Sequence, residues 1–108
     1  MDPVQLDKQE TYEELWFGKG DQPRWLILFT ARWCAPCHRL DKAAIQAAAT
    51  AQSIPFYICD AAVNKYTPTF CDIRRFPTFQ IMEPGKVVAT LTSSDTAAVL
   101  KWLEENHA

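Results

Sequence analysis

Two unbroken apolar runs stand out in the pattern of hydrophobic and polar positions. The first extends from Trp25 to Phe29 and the second from Pro55 to Cys59, and neither contains a charged residue. Apolar runs of this length are typical of strands that are covered on both faces, as in a parallel sheet. The pattern therefore predicts two buried strands, Arg24 to Thr30 and Pro55 to Cys59, in the middle of a sheet.

Further strands are indicated near both ends of the chain. Pro3 to Leu6 has the pattern of a short strand. Thr78 to Met82 alternates between apolar and polar positions, and Val87 to Leu91 follows it after the turn residues Glu83 to Lys86. So short a connection joins antiparallel strands in a hairpin. Together with the buried pair, these strands predict a mixed sheet.

A first helix is predicted between the opening strand and Gly18. Asp7 stands three places before Glu10, a spacing that resembles a capping box with aspartate as the cap. The apolar residues Leu15 to Phe17 end this helix, and the loop from Gly18 to Pro23 is rich in turn residues. The chain is therefore expected to enter the first buried strand through a loop.

Three more helical segments separate the remaining strands. The segment from Leu40 to Ala51 has one small apolar face, formed by Leu40, Ala44, Ala47, Ala48 and Ala51. Pro68 interrupts the polar stretch between Asp60 and Asp72, where short helical turns are predicted. Ser93 and Ser94 offer a cap for a final helix, whose apolar residues recur at helical spacing at Val99, Leu100 and Leu103.

The predicted elements follow the order strand, helix, strand, helix, strand, helix, strand, strand, helix. Parallel units followed by an antiparallel hairpin predict an α/β fold, with a central mixed sheet of about five strands and helices on both faces. A chain of 108 residues with 48% apolar composition is sized for one core. Residues 1–108 are therefore expected to form a single domain.

The charge pattern limits the classes of partner. The net charge is −2 and lysine and arginine form no cluster, which disfavours nucleic acid. No apolar run approaches the ~18 residues of a membrane span, and residues 1–4 do not open a secretory signal. Four cysteines are too few for a disulfide scaffold. A reducing compartment, the cytoplasm, is therefore expected. The protein is also expected to be a monomer.

Two cysteines lie where the first buried strand gives way to the alanine-rich helix. They occupy the segment Ala31 to His38, which reads Ala-Arg-Trp-Cys-Ala-Pro-Cys-His. At a helix start, free backbone N–H groups and the positive end of the dipole favour a thiolate, which makes Cys34 the expected nucleophile. Cys37 follows three residues later on the same side, within reach of a disulfide. Pro36 suits the first helical turn, where no N–H is needed.

Other interpretations of the cysteines are weaker. A zinc site needs two more closely spaced ligands, whereas the other candidates are scattered singly, at His38, Cys59, Cys71 and His107. A structural disulfide across three residues would close a very small loop and restrict the unfolded chain little. No metal is therefore expected. Cys59 ends a buried strand and is expected to be an inert core thiol, while Cys71 is left as exposed, regulatory or paired with Cys59.

Two motifs together resemble the thioredoxin family. Trp33-Cys34-Ala35-Pro36-Cys37 follows a buried strand, and Arg75-Phe76-Pro77-Thr78-Phe79 leads into a later one. The likeness extends through the order of the elements and implies a thioredoxin-like fold. It also implies that Pro77 is a cis proline facing the cysteines, with the backbone of Phe76 open to an extended substrate segment. Trp33, Ala35 and Pro36 are expected to contact the substrate as well.

The sequence departs from the family at a buried charged pair. The position of the usual aspartate, six residues before Cys34, holds Leu28, and the position of its usual lysine partner holds Phe56. Loss of one charge would leave the other unpaired in the core, whereas exchange of both for apolar groups is often neutral or stabilising. The fold is therefore not threatened, but the family aspartate is credited with helping Cys37 lose its proton. Thr30 also stands where tryptophan is common.

His38 follows Cys37 directly, where the family often has lysine. An imidazole there is a candidate to stabilise a nearby thiolate or to move a proton at neutral pH. The other interpretation is a side chain that points into water, and the sequence does not specify which face it takes. Trp33 differs, because an aromatic side chain on an exposed turn before the nucleophile is expected to contact substrate rather than core.

These features together predict a thiol-disulfide oxidoreductase that reduces protein disulfides. Cys34 attacks the client disulfide and Cys37 resolves the mixed disulfide. No cofactor is required, and the resemblance implies that a thioredoxin reductase or another protein supplies the electrons. Two alternatives stay open. One is a disulfide oxidase or isomerase with a less reducing potential, and the other is a binding or scaffold module in which the disulfide is incidental.

Overall fold

The computed structural model describes residues 2–18 and 23–107. Within them, one sheet contains five strands: β1 (Val4–Gln5), β2 (Trp25–Thr30), β3 (Phe56–Asp60), β4 (Thr78–Glu83) and β5 (Lys86–Thr92). The helices are α1 (Gln9–Trp16), α2 (Lys42–Ala51), α3 (Tyr66–Phe70) and α4 (Thr96–Glu105), and a separate 3₁₀ turn spans Pro36–Arg39. The strands and α-helices follow the order that the sequence predicted.

The sheet is mixed, with the spatial order β1-β3-β2-β4-β5. The strands β1, β3 and β2 run parallel, β4 runs antiparallel to β2, and β5 pairs with β4 as a hairpin. Pro84 and Gly85 connect the hairpin, and Gly85 adopts a positive φ of 70° that favours glycine. The predicted α/β fold with a central mixed sheet is confirmed.

The strand β2 is buried on both faces, which explains its apolar run. Every residue of the strand is buried. Leu26 and Leu28 face a core that includes side chains of α2 and α4, while Trp25, Ile27 and Phe29 face a second core that includes side chains of α1. Alternate side chains of a strand point to opposite faces, so a strand between two helical layers is apolar at nearly every position.

The helix predicted to follow the cysteines directly is two separate elements. The 3₁₀ turn ends at Arg39, and Leu40 is extended, with a ψ of 135°. Asp41 then caps α2, because its Oδ1 accepts a hydrogen bond from the Ala44 N–H at 3.0 Å. An aspartate at this position satisfies an N–H that has no partner within the helix. The prediction that the cysteines open a long helix is therefore wrong. The break was not predicted because the alanine-rich pattern does not reveal it.

The predicted cap of the first helix is displaced by one residue. Helix α1 begins at Gln9 and its N-cap residue is Lys8, which makes no side-chain cap, so the assignment of the cap to Asp7 is wrong. The Leu6 N–H donates to the Ile58 carbonyl at 2.8 Å and continues the pairing of β1 with β3. The chain is thus held in the sheet up to Leu6, and the helix starts later than the capping pattern indicated.

The last helix is capped by a carboxylate rather than by a hydroxyl. The N-cap of α4 is Asp95, whose Oδ1 accepts a hydrogen bond from the Ala97 N–H at 3.1 Å. Ser93 supports this turn, because its Oγ accepts a hydrogen bond from the Asp95 N–H at 3.1 Å. The predicted caps Ser93 and Ser94 are therefore one or two residues too early.

The remaining predicted segments lie between these elements. The loop predicted from Gly18 to Pro23 falls mostly outside the described residues, which exclude 19–22. Helix α3 lies within the region of predicted helical turns and contains Pro68. Across the two described ranges, no helix combines the length and the apolar character that crossing a membrane requires.

Leu28 and Phe56 belong to the same apolar core. Leu28 is 0% exposed and Phe56 is 2% exposed. The register pairs Leu26 with Phe56 and Leu28 with Ile58, so Leu28 and Phe56 are diagonal neighbours on one face of the sheet. The two positions at which the resemblance implies a charged pair are thus both apolar members of one cluster.

A charge at one of these positions should destabilise the fold strongly. Leu28→Asp places a carboxylate without a partner in the core, and we expect the free energy of unfolding to fall by about 3–5 kcal/mol. Addition of Phe56→Lys supplies a partner on the neighbouring strand and should recover part of that loss. Urea unfolding of the wild type, both single variants and the double variant measures the coupling between the two positions.

The matched control is Ile27→Asp combined with Phe56→Lys. Ile27 is as buried as Leu28 but belongs to the other core. Its aspartate should therefore show little coupling to a lysine at position 56. Absence of coupling between positions 28 and 56, or equal coupling in the control, would contradict the packing described for this pair.

Candidate active site

Cys34 and Cys37 are joined by a disulfide, with their Cα atoms 5.4 Å apart. Cys34 lies in the turn after β2, where its N–H donates to the Ala31 carbonyl at 2.9 Å, and Cys37 lies in the 3₁₀ turn. Cys34 is 7% exposed and Cys37 is 2% exposed. Ala31 and the partly buried Phe76 pack against the two cysteines. The pair is therefore held in an apolar setting, with Cys34 nearer the surface.

Two backbone N–H groups beside the sulfurs have no backbone acceptor. Among the described residues, the N–H groups of Ala35 and Cys37 make no backbone–backbone hydrogen bond. Ala35 is the N-cap of the 3₁₀ turn, and Pro36, its first residue, has no N–H; both side chains are exposed. The free N–H groups are thus available to stabilise a thiolate. A single 3₁₀ turn has a smaller dipole than a long helix. The thiolate is therefore stabilised by these N–H groups rather than by the helix dipole that was predicted.

Trp33, Phe76 and Pro77 form the surface beside the disulfide. Trp33 is 67% exposed, and its ring packs edge-on against that of Phe76, with centroids 5.6 Å apart. The peptide bond between Phe76 and Pro77 is cis, as the resemblance implied. The Sγ atom of Cys34 lies 3.6 Å from the carbonyl oxygen of Phe76. The two sequence motifs therefore meet at Cys34.

The backbone of Phe76 is open to pairing with a further strand. In the described part of the chain, its N–H and C=O make no backbone–backbone hydrogen bond, and β4 begins only at Thr78. Unpaired backbone groups at a surface readily pair with an added extended segment. The arrangement can thus hold a polypeptide against the sulfur of Cys34.

His38 connects the turn after Cys37 to the chain before Cys34. Its Nε2 lies 3.0 Å from the carbonyl oxygen of Arg32. Because a carbonyl oxygen only accepts, Nε2 carries the hydrogen and donates. The side chain is exposed. The role of His38 in stabilising a thiolate or moving a proton stays a prediction.

Asp60 and Arg32 form an ion pair that the sequence pattern did not reveal. The Nε of Arg32 lies 3.1 Å from Oδ2 of Asp60, and the Ala62 N–H donates to Oδ1 at 2.9 Å. Burial raises the pKa of the Asp60 carboxyl, but the hydrogen bonds from Ala62 and Arg32 outweigh it and hold that pKa below its usual range. Thr30 and Asp60 pair at the ends of the parallel strands β2 and β3, so residues that follow β2 lie close to Asp60. The two buried strands predicted from the sequence were the signal from which this contact could have been inferred.

A cavity of about 280 Å³ borders this ion pair. Its polar and charged lining residues are Gln5, Thr30, Arg32, His38, Lys42 and Asp60. The small Thr30 side chain contributes to the wall where the family commonly has tryptophan. Within residues 2–18 and 23–107, no three His, Cys, Asp or Glu side chains are grouped so that they could hold a metal ion.

The other two thiols lie outside the disulfide cluster, which consists of Ala31, Cys34 and Cys37. Cys59 is 0% exposed, and burial raises its pKa to about 12. Cys71 is half-buried near Tyr12, and burial raises its pKa as well. Both thiols are free, so the alternative in which Cys71 pairs with Cys59 is wrong. A raised pKa keeps a thiol protonated at neutral pH, which agrees with the predicted inert character of Cys59.

Comparisons with known proteins agree with this fold and this motif. The family model described as thioredoxin matches residues 4–105. A thioredoxin of Geodia cydonium is 30% identical over 76 residues, which cover 70% of this chain and 72% of that protein. The chain belongs to the thioredoxin family. The family and the Cys34–Cys37 pair support thiol-disulfide oxidoreductase chemistry.

Solved thioredoxin structures share the fold at low sequence identity. The oxidised thioredoxin of Plasmodium falciparum matches with a TM-score of 0.83 at 19% identity, covering 99% of this chain and 100% of that one. The Malassezia sympodialis thioredoxin also gives 0.83 at 19% identity, covering 99% and 92%. The Trypanosoma brucei brucei thioredoxin gives 0.80 at 21%, covering 96% and 89%. At these identities, the likeness shows the thioredoxin fold alone.

In this thioredoxin-family protein, Cys34 should be the first cysteine to react with an alkylating reagent after reduction. It is more exposed than Cys37, and the free N–H groups favour its thiolate. Brief treatment of the folded, reduced protein with iodoacetamide at neutral pH, followed by peptide mass spectrometry, measures the order. Cys59 should stay unlabelled because it is buried and its pKa is about 12. Earlier labelling of Cys37 would overturn the order.

Removal of the Arg32 guanidinium should raise the pKa of Asp60. The folded-state pKa is depressed, so the stability that Asp60 contributes is present above its unfolded pKa of about 3.9 and is lost as the pH falls through the folded pKa. Arg32→Gln should move the midpoint of Asp60, measured by NMR of its carboxyl carbon, to higher pH. It should also reduce the loss of stability on acidification.

The control for this titration is Arg74→Gln, which removes an equivalent charge from the exposed ion pair with Asp72. It should leave the midpoint of Asp60 where it is in the wild type. An equal shift in the two variants would mean that general charge, and not the contact with Arg32, sets the pKa of Asp60.

Proposed function

We propose that the protein reduces disulfides of client proteins through the Cys34–Cys37 pair. The observation that carries the proposal is the position of Cys34 Sγ, 3.6 Å from the Phe76 carbonyl and beside a tryptophan that is 67% exposed. A sulfur next to open backbone groups suits a substrate that is itself a polypeptide. The family supplies the class of chemistry, and this surface favours a protein client.

The cycle consists of two exchange steps. The Cys34 thiolate attacks one sulfur of the client disulfide, so a Cys34–client bond forms and the other client sulfur leaves as a thiolate. The Cys37 thiolate then attacks Cys34 Sγ, which breaks the mixed disulfide and releases the second client sulfur. Two electrons pass to the client, and the protein keeps the Cys34–Cys37 disulfide.

The client chain is held as an added strand beside Phe76. A client N–H donates to the Phe76 carbonyl, and the exposed ring of Trp33 covers apolar side chains of the same segment. Backbone pairing is independent of the client sequence, so this contact positions many different clients alike. It also holds the client disulfide so that one of its sulfurs faces the attacking Sγ of Cys34.

Cys37 must lose a proton before it can resolve the mixed disulfide. The position of the family aspartate is Leu28, which lies in an apolar cluster and offers no carboxylate for this step. The client thiolate released in the first step is a base that the reaction itself supplies. His38 offers a second acceptor, because its Nε2 is engaged with Arg32 and its Nδ1 is left for a proton.

Another protein must return electrons to the disulfide, and a thioredoxin reductase fits that role for a member of this family. A net flow toward clients suits a reducing compartment such as the cytoplasm. Use as an isomerase or oxidase would instead require a potential near or above about −180 mV. Equilibration with glutathione buffers measures that potential and separates the two directions.

Reduction of insulin by dithiothreitol should be accelerated by the wild type and not by Cys34→Ser. Cys34→Ser lacks the attacking sulfur, so its rate should equal that of dithiothreitol alone. Cys37→Ser keeps the attacking sulfur but cannot resolve, so the pre-reduced variant, mixed with insulin after dithiothreitol is removed, should accumulate a mixed disulfide with insulin. The turbidity of the released insulin chains and non-reducing electrophoresis measure the two effects.

Cys59→Ala is the matched control, because it removes a buried thiol outside the disulfide cluster. It should reduce insulin at the wild-type rate. A folded wild type that does not accelerate insulin reduction would contradict the proposal and favour a binding or scaffold role.

A further inference from the structure

Four polar side chains interrupt an otherwise apolar face of the sheet. Thr78 and Gln80 of β4 lie opposite Thr92 and Thr90 of β5 in the register. The face of β2 and β4 that carries Thr78 and Gln80 otherwise presents Trp25, Ile27, Phe29 and Met82 to the α1 core. Thr78 and Gln80 are buried and therefore need hydrogen-bond partners, whereas Thr90 and Thr92 are exposed.

The hydrogen bonds of this patch are only partly satisfied. Thr78 Oγ1 donates to the Arg75 carbonyl at 2.7 Å and lies 2.8 Å from Thr92 Oγ1. Gln80 is 6% exposed, and its Oε1 is buried without a hydrogen-bond partner among the described residues. A buried acceptor without a donor is unfavourable, so Gln80 is the least satisfied polar side chain of this patch.

A groove of about 280 Å³ lies over the patch, walled on its other side by the loop before β4. That loop contributes two guanidinium groups, of which one is in an ion pair and the other is not. Arg74 pairs with Asp72 at 3.0 Å, whereas Arg75 is exposed and forms no ion pair within the described residues. The groove therefore carries one positive charge that no neighbour neutralises.

The groove adjoins the Phe76–Pro77 bond on both sides along the chain. Arg75 and Thr78 both line it, and they are the residues that flank the Phe76–Pro77 bond. A client segment that pairs with the backbone of Phe76 would therefore pass within one residue of the groove.

We propose that this groove selects clients that carry an acidic side chain next to their disulfide, an inference that rests on the proposed reductase function. The Arg75 guanidinium binds the client carboxylate with paired N–H donors, and the Thr90 hydroxyl is a further donor. A lysine at that client position is disfavoured by repulsion from Arg75. The protein as a whole has a net charge of −2, so the preference arises from this local charge.

The test uses cystine peptides that are identical except for one residue beside the disulfide, which is glutamate, glutamine or lysine. The wild type should reduce the glutamate peptide with a kcat/KM about fivefold above that of the glutamine peptide, with the lysine peptide below both. Higher ionic strength should reduce the difference. Arg75→Gln should lower kcat/KM for the glutamate peptide to that for the glutamine peptide.

Lys86→Gln is the matched control, because it removes one positive charge at the far end of the hairpin. It should keep the wild-type preference. Equal reduction of the three peptides by the wild type would overturn the proposed preference for acidic clients, and so would an equal loss of preference in both variants. Either result would leave the proposed reductase function intact. Failure of the folded wild type to reduce any of the three overturns the proposed function, and the specificity with it.

Discussion

Burial of β2 between two helical layers is the constraint on which the rest of the structure depends. Every residue of the strand is buried, so apolar packing on both faces fixes its direction and its register. A slip by one residue would exchange the side chains of the two cores, which differ in size and composition. The strand then carries the chain to its carboxyl end, where the turn that holds Cys34 and Cys37 emerges from the packed layers.

The register of the neighbouring strands assembles the site. The strand β4 runs antiparallel to β2, with Phe29 opposite Thr78, so the segment before β4 lies beside the segment after β2. This places Phe76 against Cys34 and Trp33. The parallel strand β3 in turn brings Asp60 to Arg32 on the other side of β2. The redox pair is thus flanked by an open backbone on one side and an ion pair on the other.

Periodicity and motif predicted the parts of this arrangement that the local sequence encodes, such as the buried strands, the element order and the Cys34–Cys37 disulfide. The break at Leu40 was not predicted, because a run of alanines fits one helix or two equally well and only the cap at Asp41 decides. The ion pair of Arg32 was missed since it depends on the register between two strands. The alternation of β4 predicted a strand. It did not show that the polar face with Gln80 is buried rather than exposed to solvent.

We propose that the sheet register joins the two motifs into one surface that holds a polypeptide against Cys34. The most direct measurement is the structure, by crystallography or NMR, of a mixed disulfide between the Cys37→Ser protein and a cystine peptide. The peptide bonded to Cys34 is expected to run beside Phe76, with a peptide N–H donating to the Phe76 carbonyl. A peptide that is bonded to Cys34 but leaves residues 75–77 untouched would contradict this role of the sheet register.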